Sequence, residues 1–346
     1  MAKLSVIIPM YKTGSIIKKT IKSIENQSFE DFECLMIDDG SNDPSLAEFC
    51  QQLERKDQRF LYIYKNNEGI EKTRIFGVKQ STTNLLIFCD HDDYYASYAF
   101  ETLYQAYLRS GADVVAGNVY SQRLRFVPFR QGHDLFIAQE TVVERSEFIT
   151  NYYKNFFGIN VFHVSTWGKL YSKHLFQEEL KCFGYNFFED TVLNVQIFSR
   201  VNKVHFIKEF LYTHIYGGLS SRFDVSSVLN GYIDIYNFRN DLLKATGMYY
   251  KLNKYLLIEF VNVVNQNAFL MVENGFKREE FIAMMSTIDH SDIFNDCINS
   301  DIKKGELFEL VATGDYNKLY NHLLKDYTFK KRLFGFLKRT LKKLNS

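Results

Sequence analysis

The chain has 346 residues, 46% of them hydrophobic, and a formal net charge of +1. That length and apolar share supply ample core for two or three structural units. The five cysteines, at 34, 50, 89, 182 and 297, are odd in number and show no Cys-x-x-Cys spacing, so reduced thiols in a cytoplasm are expected rather than a disulfide framework. Residues 1–9 lack the basic start, long apolar stretch and small-residue cleavage site of a signal peptide, and no uninterrupted 18-residue apolar run occurs, so a soluble or peripheral protein is expected.

Strand-like and helix-like patterns alternate over the first 120 residues. Ser5 to Pro9 reads as a buried strand, and Ser15 to Asn26 carries Ile16, Ile17, Ile21 and Ile24 at helical spacing. A second strand over Glu33 to Ile37 precedes a helix beginning near Ser45, with Glu48 three residues on as a capping box. Strand Phe60 to Tyr64, a segment around Ile70 to Gln80, strand Leu85 to Cys89, a helix about Tyr98 to Arg109 and strand Asp113 to Tyr120 complete the series. This rhythm predicts an α/β fold with a doubly wound, mostly parallel sheet.

Ligands bind such sheets at the carboxyl ends of the strands, where strand order reverses. Three polar clusters fall there: Pro9-Met10-Tyr11, Asp38-Asp39-Gly40-Ser41 and Asp90-His91-Asp92-Asp93. The last cluster ends an apolar run in three carboxylates, which are electrostatically costly together unless a cation neutralises them. Neither Gly-x-x-x-x-Gly-Lys nor Gly-x-Gly-x-x-Gly occurs, so a backbone cradle for phosphate is not expected.

Over roughly residues 3 to 222 the chain resembles the family 2 glycosyltransferases of the GT-A fold. The matching pieces, in the family's order, are Ser5-Val6-Ile7-Ile8-Pro9-Met10-Tyr11, Ser23-Ile24-Glu25-Asn26-Gln27-Ser28-Phe29 and Ile37-Asp38-Asp39-Gly40-Ser41-Asn42-Asp43. Asn67-Glu68-Gly69, Asp90-His91-Asp92-Asp93, Trp167-Gly168-Lys169-Leu170-Tyr171 and Phe188-Glu189-Asp190 follow. The resemblance implies a UDP-sugar donor, with Tyr11 beside Pro9 stacking on the base, Asp39 accepting a hydrogen bond from it, and Arg74 near the nucleotide. It also implies Mn²⁺ or Mg²⁺ held by Asp90, Asp92 and Asp93 across the diphosphate, with one of these acids reaching the ribose.

By the same resemblance Asp190 is the general base of a single in-line displacement that inverts the anomeric carbon, and Glu189 and Trp167 lie on the acceptor side. His214, where relatives often carry arginine, is a further candidate for phosphate or metal. Physically, a hydroxyl nucleophile needs a proton acceptor, and aromatic neighbours raise a carboxyl pKa toward a useful range. The implied reaction moves a sugar from a UDP-sugar to a hydroxyl of a glycan or lipid-linked glycan in surface polysaccharide or glycoconjugate synthesis. A glycan on a protein is a rival acceptor. A sugar nucleotidyltransferase and a catalytically inactive glycan-binding scaffold are rival classes. The first is expected to carry a glycine-rich basic loop near the N-terminus, which is absent after Tyr11. The second need not retain Asp39, Asp92 and Asp190 together.

The expected organisation is a catalytic domain over 1–223, with a nucleotide-sugar half at 1–120 and an acceptor half at 121–223, followed by a helical region over 224–346. Val225, Val228, Leu229, Tyr232 and Tyr236 recur at helical spacing, and the apolar segment Tyr249 to Val272, interrupted by Asn262, Asn265 and Asn267, reads as packed helix rather than a membrane span. This region is expected to serve acceptor binding, homodimerisation or membrane attachment. Between 325 and 346 eight Lys or Arg face one acid, a net of +7, so with +1 overall the other 324 residues carry −6. Phe329, Leu333, Phe336, Leu337, Leu341 and Leu344 repeat among those cations, the pattern of an amphipathic helix on an anionic membrane. Docking on the acidic body is the equal alternative. Nucleic acid is excluded as a partner because no recognition motif accompanies the charge.

Overall fold

Strand β1 (Leu4–Met10) is buried at every position, as a central strand covered on both faces must be. β2 (Phe32–Asp39) is equally buried, while β3 (Phe60–Lys65) is only partly so. Between them, α1 (Ile17–Glu25) buries Ile17, Ile21 and Ile24 on one stripe. Helix α2 (Pro44–Lys56) starts one residue before Ser45: Asp43 is the cap, accepting from the Ser45 and Leu46 amides at 3.0 and 3.3 Å. Pro44 fills the first helical position, where a missing N–H costs nothing, so the expected Ser45–Glu48 box is replaced by an Asp–Pro start.

These coordinates, a computed structural model, describe residues 2–123, 131–132, 137–159, 161–185, 187–216, 225–288 and 291–328. The chain divides into two compact units, Met1–Arg222 and Phe223–Ser346. In the first, α3 (Ile70–Gln80), β4 (Leu85–Phe88), β5 (Tyr94–Tyr95), α4 (Ala99–Ser110), β6 (Val114–Arg123), β7 (Gln131–Gly132) and β8 (Thr141–Glu144) follow in order. The one-turn α5 (Arg145–Glu147), β9 (Lys169–Ser172), α6 (Glu189–Phe198) and β10 (Lys203–Tyr216) complete it.

The sheet runs β3-β2-β1-β4-β9-β6-β10-β5, with β7 on β6 and β8 on β10. β3, β2, β1 and β4 are parallel, and β10 is parallel to β6. The chain leaves β1 for β2 on one side and returns to pair β4 on the other, so the crevice of a doubly wound sheet opens at the carboxyl ends of these three strands. One strand departs from the expected rhythm: β9 inserts antiparallel between β4 and β6. It carries Lys169-Leu170-Tyr171, so most of a motif read as part of the site is also buried core. Gly168, just before it, has φ +72, and a Cβ there would press on Val119 at 3.1 Å. Only glycine adopts that backbone at no steric cost.

The second unit is helical: α7 (Val225–Ala245), α8 (Tyr249–Glu273), α9 (Arg278–Met285), α10 (Asp292–Asn299), α11 (Gly305–Ala312) and a further helix over 316–328. Val228, Leu229, Tyr232 and Tyr236 of α7 are buried as their spacing predicts. A buried ion pair, Arg239 to Glu259 at 2.6 Å, joins α7 to α8. By length and composition α8 alone among the described helices could cross a membrane, although 56% of its apolar window is buried within the protein. Of the basic segment 325–346, residues 329–346 lie outside those described.

Candidate active site

At the carboxyl ends of β1 and β2 a cavity of about 250 Å³ is lined by Pro9, Tyr11, Asp39, Asn67, Gly69, Thr73 and His91. Tyr11 is 41% exposed, a ring available for stacking at the mouth. Asp38 and Asp39 are both buried, and they point to different partners. Asp38 accepts from the Ser41 amide at 2.9 Å and the Tyr62 hydroxyl at 2.8 Å, which makes it a turn-former. Asp39 accepts from the Glu68 amide at 3.0 Å and the Gly69 amide at 2.9 Å, and Lys65 Nζ lies 2.6 Å from its Oδ1. The loop 66–69 is thereby held against β2 just where it opens α3. Gly40 permits this approach, because a Cβ there would meet the Asn67 nitrogen at 2.8 Å. Lys65, whose cation fixes Asp39, carried no signal in the sequence beyond being one lysine among many.

The loop after β4 divides its acids between two tasks. Asp93 is buried and accepts from the Tyr212 hydroxyl at 2.9 Å, the Ile215 amide at 2.6 Å and His214 Nδ1 at 3.0 Å. Burial pushes the Asp93 carboxyl up to about 6, and its charge in turn raises the His214 imidazole against the opposing effect of burial. Asp93 and His214, read in the sequence as metal candidates, bond to each other and tie the loop to β10, and three protein donors occupy the Asp93 carboxylate. Among the described hydrogen bonds no other residue donates to Asp92, and burial, aided by Asp90, raises its pKa against His91 and its own backbone amide. Asp90 gives one oxygen to Arg74 at 2.9 Å.

No three His, Cys, Asp or Glu groups among the described residues converge as a metal cage. A hard cation that travels with a diphosphate needs only one or two protein carboxylates, the substrate's oxygens supplying the rest. Asp92, desolvated and beside the like-charged Asp90, has the chemistry such an ion would relieve.

Arg74 sits between the two halves of the site. It is 1% exposed, with Nη2 on Asp90 at 2.9 Å and Nη1 on Asp190 at 2.8 Å. Burial disfavours its charge, but Asp190 and Asp90 more than offset this and raise its pKa. The resemblance implied that Arg74 serves the nucleotide. In the structure it joins two carboxylates, Asp90 in the loop after β4 and Asp190 of α6. Its buried position on α3 leaves those acids as its nearest charge partners.

Asp190 opens α6 and accepts a second bond on the same oxygen from Thr166 Oγ1 at 3.0 Å. Phe188, immediately before Glu189, has φ 57, a conformation costly for a bulky residue and one that recurs at functional turns. Burial beside Asp190 pushes the Glu189 carboxyl up to about 7, as expected of an acid in this aromatic surrounding.

Trp167 differs from expectation. It is buried, stacked on Tyr212 at 4.8 Å and on His214 at 5.2 Å, because β9 and β10 bring these rings into one layer. The stacking backs the Asp93–His214 pair. Lys169, part of the matching Trp-Gly-Lys motif but given no role of its own in the sequence, is buried and donates to the carbonyls of His163 and Ser165 at 2.8 and 2.7 Å. Burial pulls its pKa down to about 7. These bonds hold the turn that presents Thr166 to Asp190. A lysine inside a Trp-Gly-Lys run flanked by apolar strand residues was the available clue.

Residues 5–180 match the family model described as "Glycosyl transferase family 2". Glycosyltransferase GlyA of Streptococcus pneumoniae serotype 4 is 30% identical over 264 residues, 74% of this chain and 36% of GlyA, so the match spans about a third of that relative. The cholesterol galactosyltransferase of Borreliella burgdorferi is 26% identical over 96% of this chain and 94% of its own. Among solved structures, S. aureus TarS in complex with UDP-GlcNAc superposes with a TM-score of 0.68 at 18% identity, covering 95% of this chain and 92% of that one. With the family model covering half the chain and the fold matching in the same order, the protein belongs to glycosyltransferase family 2.

Proposed function

We propose that the protein transfers a sugar from a UDP-sugar to a hydroxyl of a glycan or lipid-linked glycan, metal-dependently and with inversion at the anomeric carbon, in glycoconjugate or surface polysaccharide synthesis. The observation that carries this reading is the double grip of Arg74. One guanidinium holds Asp90, from the acidic loop, and Asp190, at the start of α6, within a single hydrogen bond of itself. A donor diphosphate beside Asp90 therefore lies next to a carboxylate able to take a proton. TarS, which shares the fold, was solved with UDP-GlcNAc, and a relative in Campylobacter jejuni, 36% identical over 107 residues, is named a GalNAc(5)-diNAcBac-PP-undecaprenol beta-1,3-glucosyltransferase. The first supports a UDP-sugar donor and the second a lipid-linked acceptor.

On this reading Tyr11 stacks on the base at the mouth of the cavity and Asp39, pre-set by Lys65 and the loop amides, receives the base's N–H. Mn²⁺ or Mg²⁺, held by Asp92 with Asp90, would supply neutralisation of the charge that builds on the departing diphosphate. Arg74 and Thr166 fix one oxygen of Asp190 and leave the other for the acceptor hydroxyl's proton. Attack on the face opposite the diphosphate inverts the anomeric carbon. The basic tail would bring the enzyme to the inner, anionic face of the cytoplasmic membrane, where a lipid-linked acceptor resides. Deleting residues 325–346 should release the protein from phosphatidylglycerol vesicles and leave donor hydrolysis intact; unchanged vesicle binding would remove that part.

A screen of UDP-sugars for hydrolysis with and without Mn²⁺ tests the whole reading. Metal-dependent release of UDP from one donor is expected. Failure of every UDP-sugar to turn over or to bind would contradict it.

A further inference from the structure

We propose that the Thr73 hydroxyl and His91 Nε2 select the nucleoside of the donor, Thr73 donating to a carbonyl of the uracil ring and His91 bonding a ribose hydroxyl. The proposal rests on the transfer reading above and names further groups that recognise its donor. Both residues line the cavity at the carboxyl ends of β1 and β2. Thr73 is wholly buried and His91 partly so. Thr73 Oγ1 and His91 Nε2 are buried atoms that no described protein atom bonds. A threonine inside a helix can turn its hydroxyl back to the carbonyl four residues earlier. Here that carbonyl, of Gly69, accepts the Thr73 amide at 3.0 Å, and the hydroxyl forgoes it. A buried polar atom without a partner is destabilising, so two of them on the walls of one cavity mark groups that a ligand completes.

The chemistry of the two walls assigns each group its target. Asp39 Oδ2 accepts the Gly69 amide and the Gly69 carbonyl accepts the Thr73 amide, so Thr73 lies one helical turn from the amide that fixes Asp39. A carboxylate accepts about four hydrogen bonds, and Asp39 already takes those of Lys65, Glu68 and Gly69. This wall therefore offers a remaining acceptor on Asp39 and, a turn away, a hydroxyl donor on Thr73. Uracil presents an N–H flanked by carbonyls and satisfies both. Cytosine presents a bare ring nitrogen beside an amino group, which sets the Asp39 carboxylate against a lone pair. His91 belongs to the loop that carries Asp90 and Asp92, and its own carbonyl is held by Thr20 Oγ1 at 2.7 Å. Ribose joins the base to the diphosphate, so it passes between the Asp39 wall and that loop. A ribose hydroxyl both donates and accepts, and it meets Nε2 in either tautomer of the ring.

The test is calorimetric titration of UDP and its analogues into the full chain with Mn²⁺ present. Thr73→Val, which removes the hydroxyl at nearly constant shape, should bind UDP roughly three- to tenfold more weakly, the scale of one lost hydrogen bond. The melting temperature of the unliganded variant should hold or rise, because a buried hydroxyl without a protein partner is gone. Thr73→Ser, which keeps the hydroxyl, should bind as the wild type does. Analogues in which sulfur replaces one base carbonyl oxygen of UDP sharpen the assignment: the wild type should discriminate against one of them, and Thr73→Val should lose that discrimination. His91→Phe should likewise lose the preference of the wild type for UDP over analogues that lack one ribose hydroxyl. Unchanged UDP affinity in Thr73→Val, or a fall in its melting temperature, would assign the hydroxyl to the protein's own packing and overturn the base contact. An unaltered ribose preference in His91→Phe would overturn the other. Failure of the wild type to bind UDP at all would instead sink the transfer reading beneath them.

Discussion

The strand ends on either side of β1 carry the same residue type to opposite effect. At the end of β2 both aspartates are met by the protein itself, Asp38 by Ser41 and Tyr62 and Asp39 by Lys65 and the amides of residues 68 and 69. After β4 only Asp93 is so treated, and Asp92 is met by its own backbone amide and by no donor from another residue among those described, while burial raises its pKa. Fixed donors hold an acid in place, tying a loop at Asp93 and setting Asp39, which keeps one of its four lone pairs, at the wall of the cavity it lines; a desolvated acid with few donors is poised for a cation or a proton. Counting carboxylates therefore overstates a metal site, and counting their donors corrects it.

The largest effect should come from the group that spans the contrast. Arg74→Ala leaves Asp90 and Asp190, 22% and 20% exposed, without their cation; breaking a fully buried pair costs about 3 to 5 kcal/mol, and water at the two acids brings the cost below that. A marked fall in melting temperature together with loss of transfer is expected; retained stability would mean the two acids are better solvated than their burial implies. Asp190→Asn should lower turnover on the order of 10²-fold or more with UDP affinity unchanged, the mark of a lost proton acceptor. Weakened UDP binding would move Asp190 to the nucleotide.

A paired substitution sharpens the comparison further. Asp92→Asn should raise the Mn²⁺ concentration needed for donor hydrolysis with little change in thermal stability. Asp93→Asn should do the reverse, costing about 1 to 3 kcal/mol because Tyr212, His214 and the Ile215 amide lose a charged acceptor. Identical profiles for the two variants would erase the distinction.

The smallest effect is in pH dependence. Glu189 titrates near 7 in the folded protein against an ordinary value near 4.5, so the native state keeps its proton longer than the unfolded chain does. Stability contributed by this group is then lost as pH rises from about 4.5 to about 7 and changes little above. Glu189→Gln should abolish that slope in a set of melting curves. Lys169 acts in the next window and with opposite sign: held down near 7, it favours folding increasingly as pH climbs from 7 toward 10.5.

Much of this was legible in the sequence because strand burial and acid placement are local signals. The run Leu85 to Cys89 followed by Asp90 announced both a buried strand and a charged strand end, and β1 to β4 lie where periodicity places them. The cap at Asp43 was missed because Ser45 and Glu48 imitate a capping box while proline dictates the start one residue earlier. β9 was missed because a four-residue antiparallel insertion follows no period of the surrounding pattern. Partner choice was hidden altogether. That Arg74 holds Asp190, 116 positions away, depends on α3 and α6 meeting in space, and no spacing in the chain encodes it.

Calorimetric titration of UDP into the full chain with and without Mn²⁺, repeated on Asp92→Asn, bears most directly on the central claim that Asp90 and Asp92 leave room for a cation beside the nucleotide. The account predicts heat that depends on Mn²⁺ in the wild type, with that dependence lost in the variant. Equal UDP affinity in all four experiments would contradict it.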